Sequence, residues 1–130
     1  MEINELTGQI IGAAMRVHSA VGPGLLESVY RTCLHYELAQ LGLRVRAEYP
    51  IPVVYQNIQI DVGYRVDLLV EDLVLVELKA VTTMLPVHEA QLLTCIRMIN
   101  RPVGLLINFH VLHLRDGIRR LVNQHPRKPN

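Results

Sequence analysis

Val66-Asp67-Leu68-Leu69-Val70-Glu71-Asp72-Leu73-Val74-Leu75-Val76-Glu77-Leu78-Lys79-Ala80 reads as two short apolar strands joined by an acidic turn. Three charged side chains break the apolar pattern: Asp67 before the turn, Glu77 and Lys79 after it. A charge in an apolar strand costs free energy unless it is paired, hydrated or metal-bound, so this trio needs a reason. Strand side chains alternate, which puts Glu77 and Lys79 on one face with Leu73 and Leu75, and Asp67 on one face with Arg65 and Leu69. The turn then decides the register. Pairing centred on Asp72, with a three-residue loop over Glu71 to Leu73, sets Asp67 opposite Glu77. A two-residue turn at Glu71-Asp72 pairs Asp67 with Val76 and sends Glu77 to the other face. The first register gathers two carboxylates and an ammonium. The carboxylates repel each other, and a divalent cation relieves that. On spacing alone a solvated strand face outweighs a metal site, because Glu-x-Lys is a common tripeptide.

The surrounding chain sets the scale. Its 130 residues suit one domain, expected over residues 1–124, with a frayed tail at 125–130. Half of the residues are hydrophobic, and a mean hydropathy of +0.23 is apolar for so short a chain, which points to surface buried in an oligomer. With five Tyr, one Phe and no Trp, the core must rest on Leu, Ile and Val. A net charge of +1 neither demands nor excludes a nucleic-acid partner. From Arg115 onward, Arg115, Arg119, Arg120, Arg127 and Lys128 stand against Asp116, a basic end that can serve phosphate binding or simply be solvated. Cys33 and Cys95 sit in apolar helical patterns and read as small core residues, with no disulfide framework and no zinc site. Arg16 and His18 interrupt the first apolar stretch, and no basic segment precedes it, so a cytoplasmic protein with no membrane span is expected.

In chain order, Asn4 can cap a helix running to about Ser19, stopped by Gly22-Pro23-Gly24. Pro23 suits the first turn of a second helix, to Leu41, whose apolar stripe includes Leu26, Val29, Tyr30, Cys33, Leu34 and Leu38. Val45 to Tyr55 is a strand that Pro50 and Pro52 demote to an edge or bulged position. Ile58 to Val70 and Leu73 to Ala80 complete an antiparallel meander. Pro86 opens a helix to about Asn100, a crossover that returns Val103 to Phe109 to the sheet, parallel to the third strand. Val111 to Leu114 reads as a short strand and Ile118 to Gln124 as a terminal helix. The expected fold is α/β (α+β), with the order α-α-β-β-β-α-β and a mixed sheet of about four to five strands flanked by helices.

That order, with Asp67, Glu77 and Lys79 on adjacent central strands, resembles the PD-(D/E)XK nuclease superfamily and its restriction-endonuclease-like core. Gly24-Leu25-Leu26-Glu27-Ser28-Val29-Tyr30 looks like the signature of the small bacterial GxxExxY family within that superfamily. Val66 stands where the superfamily name puts Pro. The resemblance implies that Asp67 and Glu77 are ligands of Mg²⁺ or Mn²⁺. Lys79 would hold the attacking water or the scissile phosphate. Glu27 would be an added acidic group, counted with the metal ligands, and Gln91 a polar group near the site from the helix after the Glu-x-Lys strand. The chemistry is consistent with this. Mg²⁺ takes one or two carboxylates plus waters and substrate phosphate, and a neighbouring ammonium stabilises the charge that builds up in the transition state. Glu27 is equally what a helix dipole favours in a first turn, and Tyr30 continues the core stripe.

Two functions follow. One is a metal-dependent nuclease that hydrolyses phosphodiester bonds of DNA or RNA. The other is a non-catalytic nucleic-acid-binding or assembly module that keeps the fold. The nuclease is favoured because a retired site is expected to lose its buried charges. Asp67, Glu77 and Lys79 are expected to share one cleft with Glu27 approaching it, and a homodimer is expected to cover the proline-bearing edge strand.

Overall fold

A computed structural model describes residues 1–124, with every side chain in that span except that of Val62. The expected tail at residues 125–130 lies outside the described residues.

Two helices come first. α1 (Ile3–Val21) buries Leu6, Ile10, Ala13, Ala14 and Val17 at helical spacing. Its cap is Glu2, whose carboxylate accepts the Asn4 N–H at 3.0 Å, so the helix begins just ahead of the expected Asn4 cap. α2 (Glu27–Gln40) buries Tyr30, Leu34 and Leu38. It starts four residues after Pro23, because Gly24 takes a φ of 100° that no helix can contain. Pro23 therefore belongs to the connecting loop.

The sheet follows with β1 (Val45–Tyr55), β2 (Ile58–Val70) and β3 (Val74–Lys79), then the crossover α3 (Pro86–Met98) and β4 (Val103–Asn108). A 3-10 turn (Leu114–Gly117) leads into β5 (Ile118–Val122). Spatial order equals chain order, β1-β2-β3-β4-β5. β1–β2, β2–β3 and β4–β5 are antiparallel and β3–β4 is parallel, as the meander and crossover require. β1 is an edge strand, and its register with β2 shifts between Ile51 and Val53, around Pro52.

Two sequence expectations fail here. Residues 118–124 do not form a helix. Ile118 to Val122 pairs with Val103 to Ile107 as β5. β4 is buried along its whole length and would otherwise leave a row of backbone groups unpaired. A seven-residue helix is too short to compete with that demand. Residues 111–113 are bends rather than a strand, followed by the 3-10 turn.

The molecule has three layers. α1 and α2 pack on one face of the sheet against Leu68, Val70, Val74, Val76, Leu78, Leu105 and Ile107. α3 packs on the other, where Leu92, Cys95 and Ile96 meet Ile51, Val66, Leu69, Leu75 and Leu106. Among the described residues no helix is long and apolar enough to cross a membrane.

Candidate active site

The β2–β3 turn places the charges. Glu71 and Asp72 take φ values of 53° and 56°, and the Leu73 N–H donates to the Val70 carbonyl at 3.0 Å. The two strained residues are held from outside. Glu71 accepts the Arg44 N–H at 2.6 Å, which holds its carboxyl below the usual range. Arg101 clamps the Asp72 carbonyl and carboxylate at 2.9 and 3.0 Å. The pairs that result are Val70↔Val74, Leu69↔Leu75 and Leu68↔Val76. This is the register centred on Asp72, and one step further it sets Asp67 against Glu77. The ladder ends at that step, because β2 leaves β3 there and continues with β1 alone.

Asp67 fills the gap where the strands part. Its Oδ2 accepts the Leu78 N–H at 2.8 Å, taking the place of a β2 carbonyl. Its Oδ1 accepts from Arg31 of α2 at 3.2 Å, and Arg31 also reaches Glu48 at 3.7 Å. Val66 and Leu69, three residues apart, belong to the same core cluster, so strict alternation breaks around Asp67. Asp67 therefore does not simply share the Leu69 face. It turns toward β3 and touches groups from two layers.

Glu77 is half-buried and follows Leu75 toward α3. Its carboxyl lies close to that of Asp67. Burial above all, then the hydrogen bond and charge of Asp67, push Glu77 up to about 9, against the opposing pull of Lys79. At neutral pH Glu77 is thus protonated and can donate to Asp67. The Cys95 thiol, pushed up to about 11 by burial and then by Glu77, and the Tyr64 hydroxyl, raised by burial, Cys95 and Glu77, mark what lies on the α3 side of the pair.

Lys79 faces the same way as Glu77, and the chain beyond it is fixed by Asn108. The Asn108 side chain accepts from Val81 and His110, both at 3.1 Å, and donates to the Val81 carbonyl at 2.9 Å. Gly117 is required against the same strand end, since a Cβ there would run into the Asn108 carbonyl.

The Gly24 to Tyr30 segment owes its form to backbone closure. Tyr30 is fully buried and stacks on Phe109 with ring centroids 4.3 Å apart. Its hydroxyl donates to the Gly22 carbonyl at 2.6 Å and accepts the Leu25 N–H at 3.2 Å. The tyrosine thus ties the loop to the core and fixes where α2 begins. Glu27 is exposed in the first turn, one turn before Arg31 on the same helix side.

Of the expected residues, Asp67 and Glu77 lie close together, and Lys79 follows two residues after Glu77 at the end of β3. Glu27 is exposed in the first turn of α2, and among the described residues no three His, Cys, Asp or Glu side chains form a group able to hold a metal. Gln91 of α3 lines a neighbouring cavity of about 190 Å³ with Ile51, Val53, Tyr64, Thr94 and Cys95. A larger hollow of about 610 Å³, which His18, Pro23, His113 and Arg115 help to line, contains none of the carboxylates. Sequence reading missed Arg31 and Asn108. Arg31 carried a signal, since it lies four residues after Glu27 on the same helical face.

The pair suits a hard divalent cation. It offers carboxylate oxygens only. The two hydrogen bonds to Asp67 leave lone pairs free, and Glu77 holds a proton that a cation can displace.

A sequence model described as the PD-(D/E)XK nuclease superfamily matches residues 4–121. Comparisons with curated proteins and with solved structures returned no match. The matched span runs from the first turn of α1 to β5 and includes the carboxylate pair, Lys79 and the crossover helix, and the mixed sheet with its flanking helices is consistent with a restriction-endonuclease-like fold. The chain belongs to the PD-(D/E)XK nuclease superfamily.

Proposed function

We propose that the protein is a metal-dependent nuclease of the GxxExxY type, hydrolysing phosphodiester bonds of DNA or RNA. The observation that carries this is the contact of Asp67 with Glu77 at the point where β2 and β3 part, beside Lys79. Asp67 and Glu77 would hold Mg²⁺ or Mn²⁺, with Glu27 as an added acidic group. When bound, the ion supplies a water of lowered pKa and polarises the phosphoryl oxygen. The chain's own groups do the rest. Arg31 and the Leu78 N–H orient Asp67. The Lys79 ammonium adds positive charge where the phosphorane-like transition state gains negative charge. Gln91 stands ready to orient substrate from α3.

The test is incubation of the purified protein with single- and double-stranded DNA and RNA, with Mg²⁺, with Mn²⁺ and with chelator. Metal-dependent cutting of at least one of them is expected. The second reading is a non-catalytic nucleic-acid-binding or assembly module. It draws on the fact that both Asp67 oxygens already accept hydrogen bonds. Saturable nucleic-acid binding with no cutting in any metal would select it.

Lys79 separates chemistry from structure. Lys79→Ala is expected to abolish cleavage while metal binding survives, since an ammonium is no metal ligand. Because Arg31 already neutralises Asp67, the variant should melt close to wild type. A variant that melts far lower yet cuts at the wild-type rate would make Lys79 a counter-ion only.

We further propose a homodimer joined along the open edge of β1, where Val54 and Tyr55 are exposed. Light scattering showing only monomer at high micromolar concentration would contradict it.

A further inference from the structure

We propose that the cavity between the β1–β2 hairpin and α3 is a nucleobase pocket, which receives one unpaired base of a single-stranded substrate whose phosphate lies at Asp67 and Glu77. This rests on the nuclease reading and adds the substrate class to it. The cavity lies beside the carboxylate pair, because its wall Tyr64 stands three residues before Asp67 on β2, and its wall Cys95 packs in one core cluster with Leu75, two residues before Glu77. Its floor is the buried pair Ile51 and Cys95, and Tyr64 stands at its mouth with 37% of its surface exposed.

The lining selects the ligand. None of the residues around this cavity carries a formal charge at neutral pH, so it offers nothing to a phosphate. It offers almost wholly apolar walls and the ring of Tyr64, against which the flat face of a base can stack. At about 190 Å³ it is smaller than the ~300–1,000 Å³ of drug-sized sites, which suits one planar ring and excludes a base pair. A base stacked inside a duplex cannot enter without first being unpaired, so an intact duplex is disfavoured and a single strand is not.

The test uses single-stranded oligonucleotides carrying 2-aminopurine, whose fluorescence falls on stacking. They are titrated with the full protein in Ca²⁺, beside abasic strands and the same sequence as blunt duplex. Cleavage in Mg²⁺ is measured in parallel. Quenching is expected with the single strand, and binding of the fully abasic strand should be weaker by roughly 5- to 150-fold, the worth of one stacked base. Tyr64→Ala should lose the quenching and Tyr64→Phe keep it. The abasic comparison is made on wild type and so does not depend on the fold of Tyr64→Ala. Abasic strands bound and cut as well as normal ones overturn the pocket while leaving the nuclease standing, as does a blunt duplex preferred to the single strand. Quenching that Tyr64→Ala removes, with no strand cut in any metal, upholds base binding and overturns the nuclease reading instead.

Discussion

Tyr30→Ala is expected to lower the unfolding free energy by about 3–5 kcal/mol, the cost of emptying a large aromatic site in a packed core. The ring is fully buried and stacked on Phe109, so the cavity would open in the middle of the α1–α2 layer. The hydroxyl can be separated from the ring. Tyr30→Phe keeps the stack and removes the bonds to the Gly22 carbonyl and the Leu25 N–H, at a cost of about 1–3 kcal/mol. Because those bonds set the start of α2, the Phe variant should also loosen Arg31 against Asp67. Cleavage should then fall even at temperatures where the protein stays folded. Urea denaturation of the three proteins, with cleavage measured on each, checks both effects. A Tyr30→Phe protein as stable and as active as wild type would show that the hydroxyl bonds do not position the helix.

Glu77 should make the metal-free protein less stable as pH rises. Its carboxyl is raised to about 9 in the folded state and returns to an ordinary value on unfolding. Below the unfolded value both states hold the proton, and the contribution is fully present. Between that value and about 9 only the folded state holds it, so stability falls with rising pH, and above that range the contribution is lost. The slope can reach about 1.4 kcal/mol per pH unit inside the window. Glu77→Gln keeps the shape of the protonated acid and should flatten this dependence while abolishing cleavage. Mg²⁺ should restore stability to the wild type only, and more so at pH 8.5 than at pH 5.5, since the ion takes the proton's place. Melting curves over that range, with and without Mg²⁺, would refute the assignment if the wild type were flat or gained stability with pH.

The parts of the fold that were legible in the sequence share a physical basis. Leu34 and Leu38, Ile96, and the apolar run of β4 carry strong periodicity or burial signals, and packing upheld them. The meander and the parallel crossover followed from connection lengths. The failures are places where local signals are weak and distant partners decide. Ile118 to Val122 became a strand because the open edge of β4 lay beside it. Pro23 was displaced from α2 by a loop whose shape depends on the Tyr30 hydroxyl, which binds the Gly22 carbonyl eight residues before it. At the site, the sequence offered two registers for Asp67 and Glu77, and the three-residue turn over Glu71 to Leu73 selects one. Arg44 and Arg101 hold that turn, and nothing in the stretch itself names them. The orientation of Asp67 toward Leu78 and Arg31 was hidden for the same reason, because it depends on where β2 parts from β3.

The proposed chemistry needs a carboxylate pair that exchanges a proton for a divalent ion. Calorimetric titration with Mg²⁺ at pH 7.5, repeated in buffers of different ionisation enthalpy, measures both events at once. Saturable binding is expected with release of about one proton per ion, because Glu77 is protonated before the metal arrives. Asp67→Asn should abolish the binding, and Glu77→Gln should abolish both the binding and the proton release. Absence of saturable binding in the wild type, or binding that survives in both variants, would contradict the assignment of Asp67 and Glu77 as the centre of this protein's chemistry.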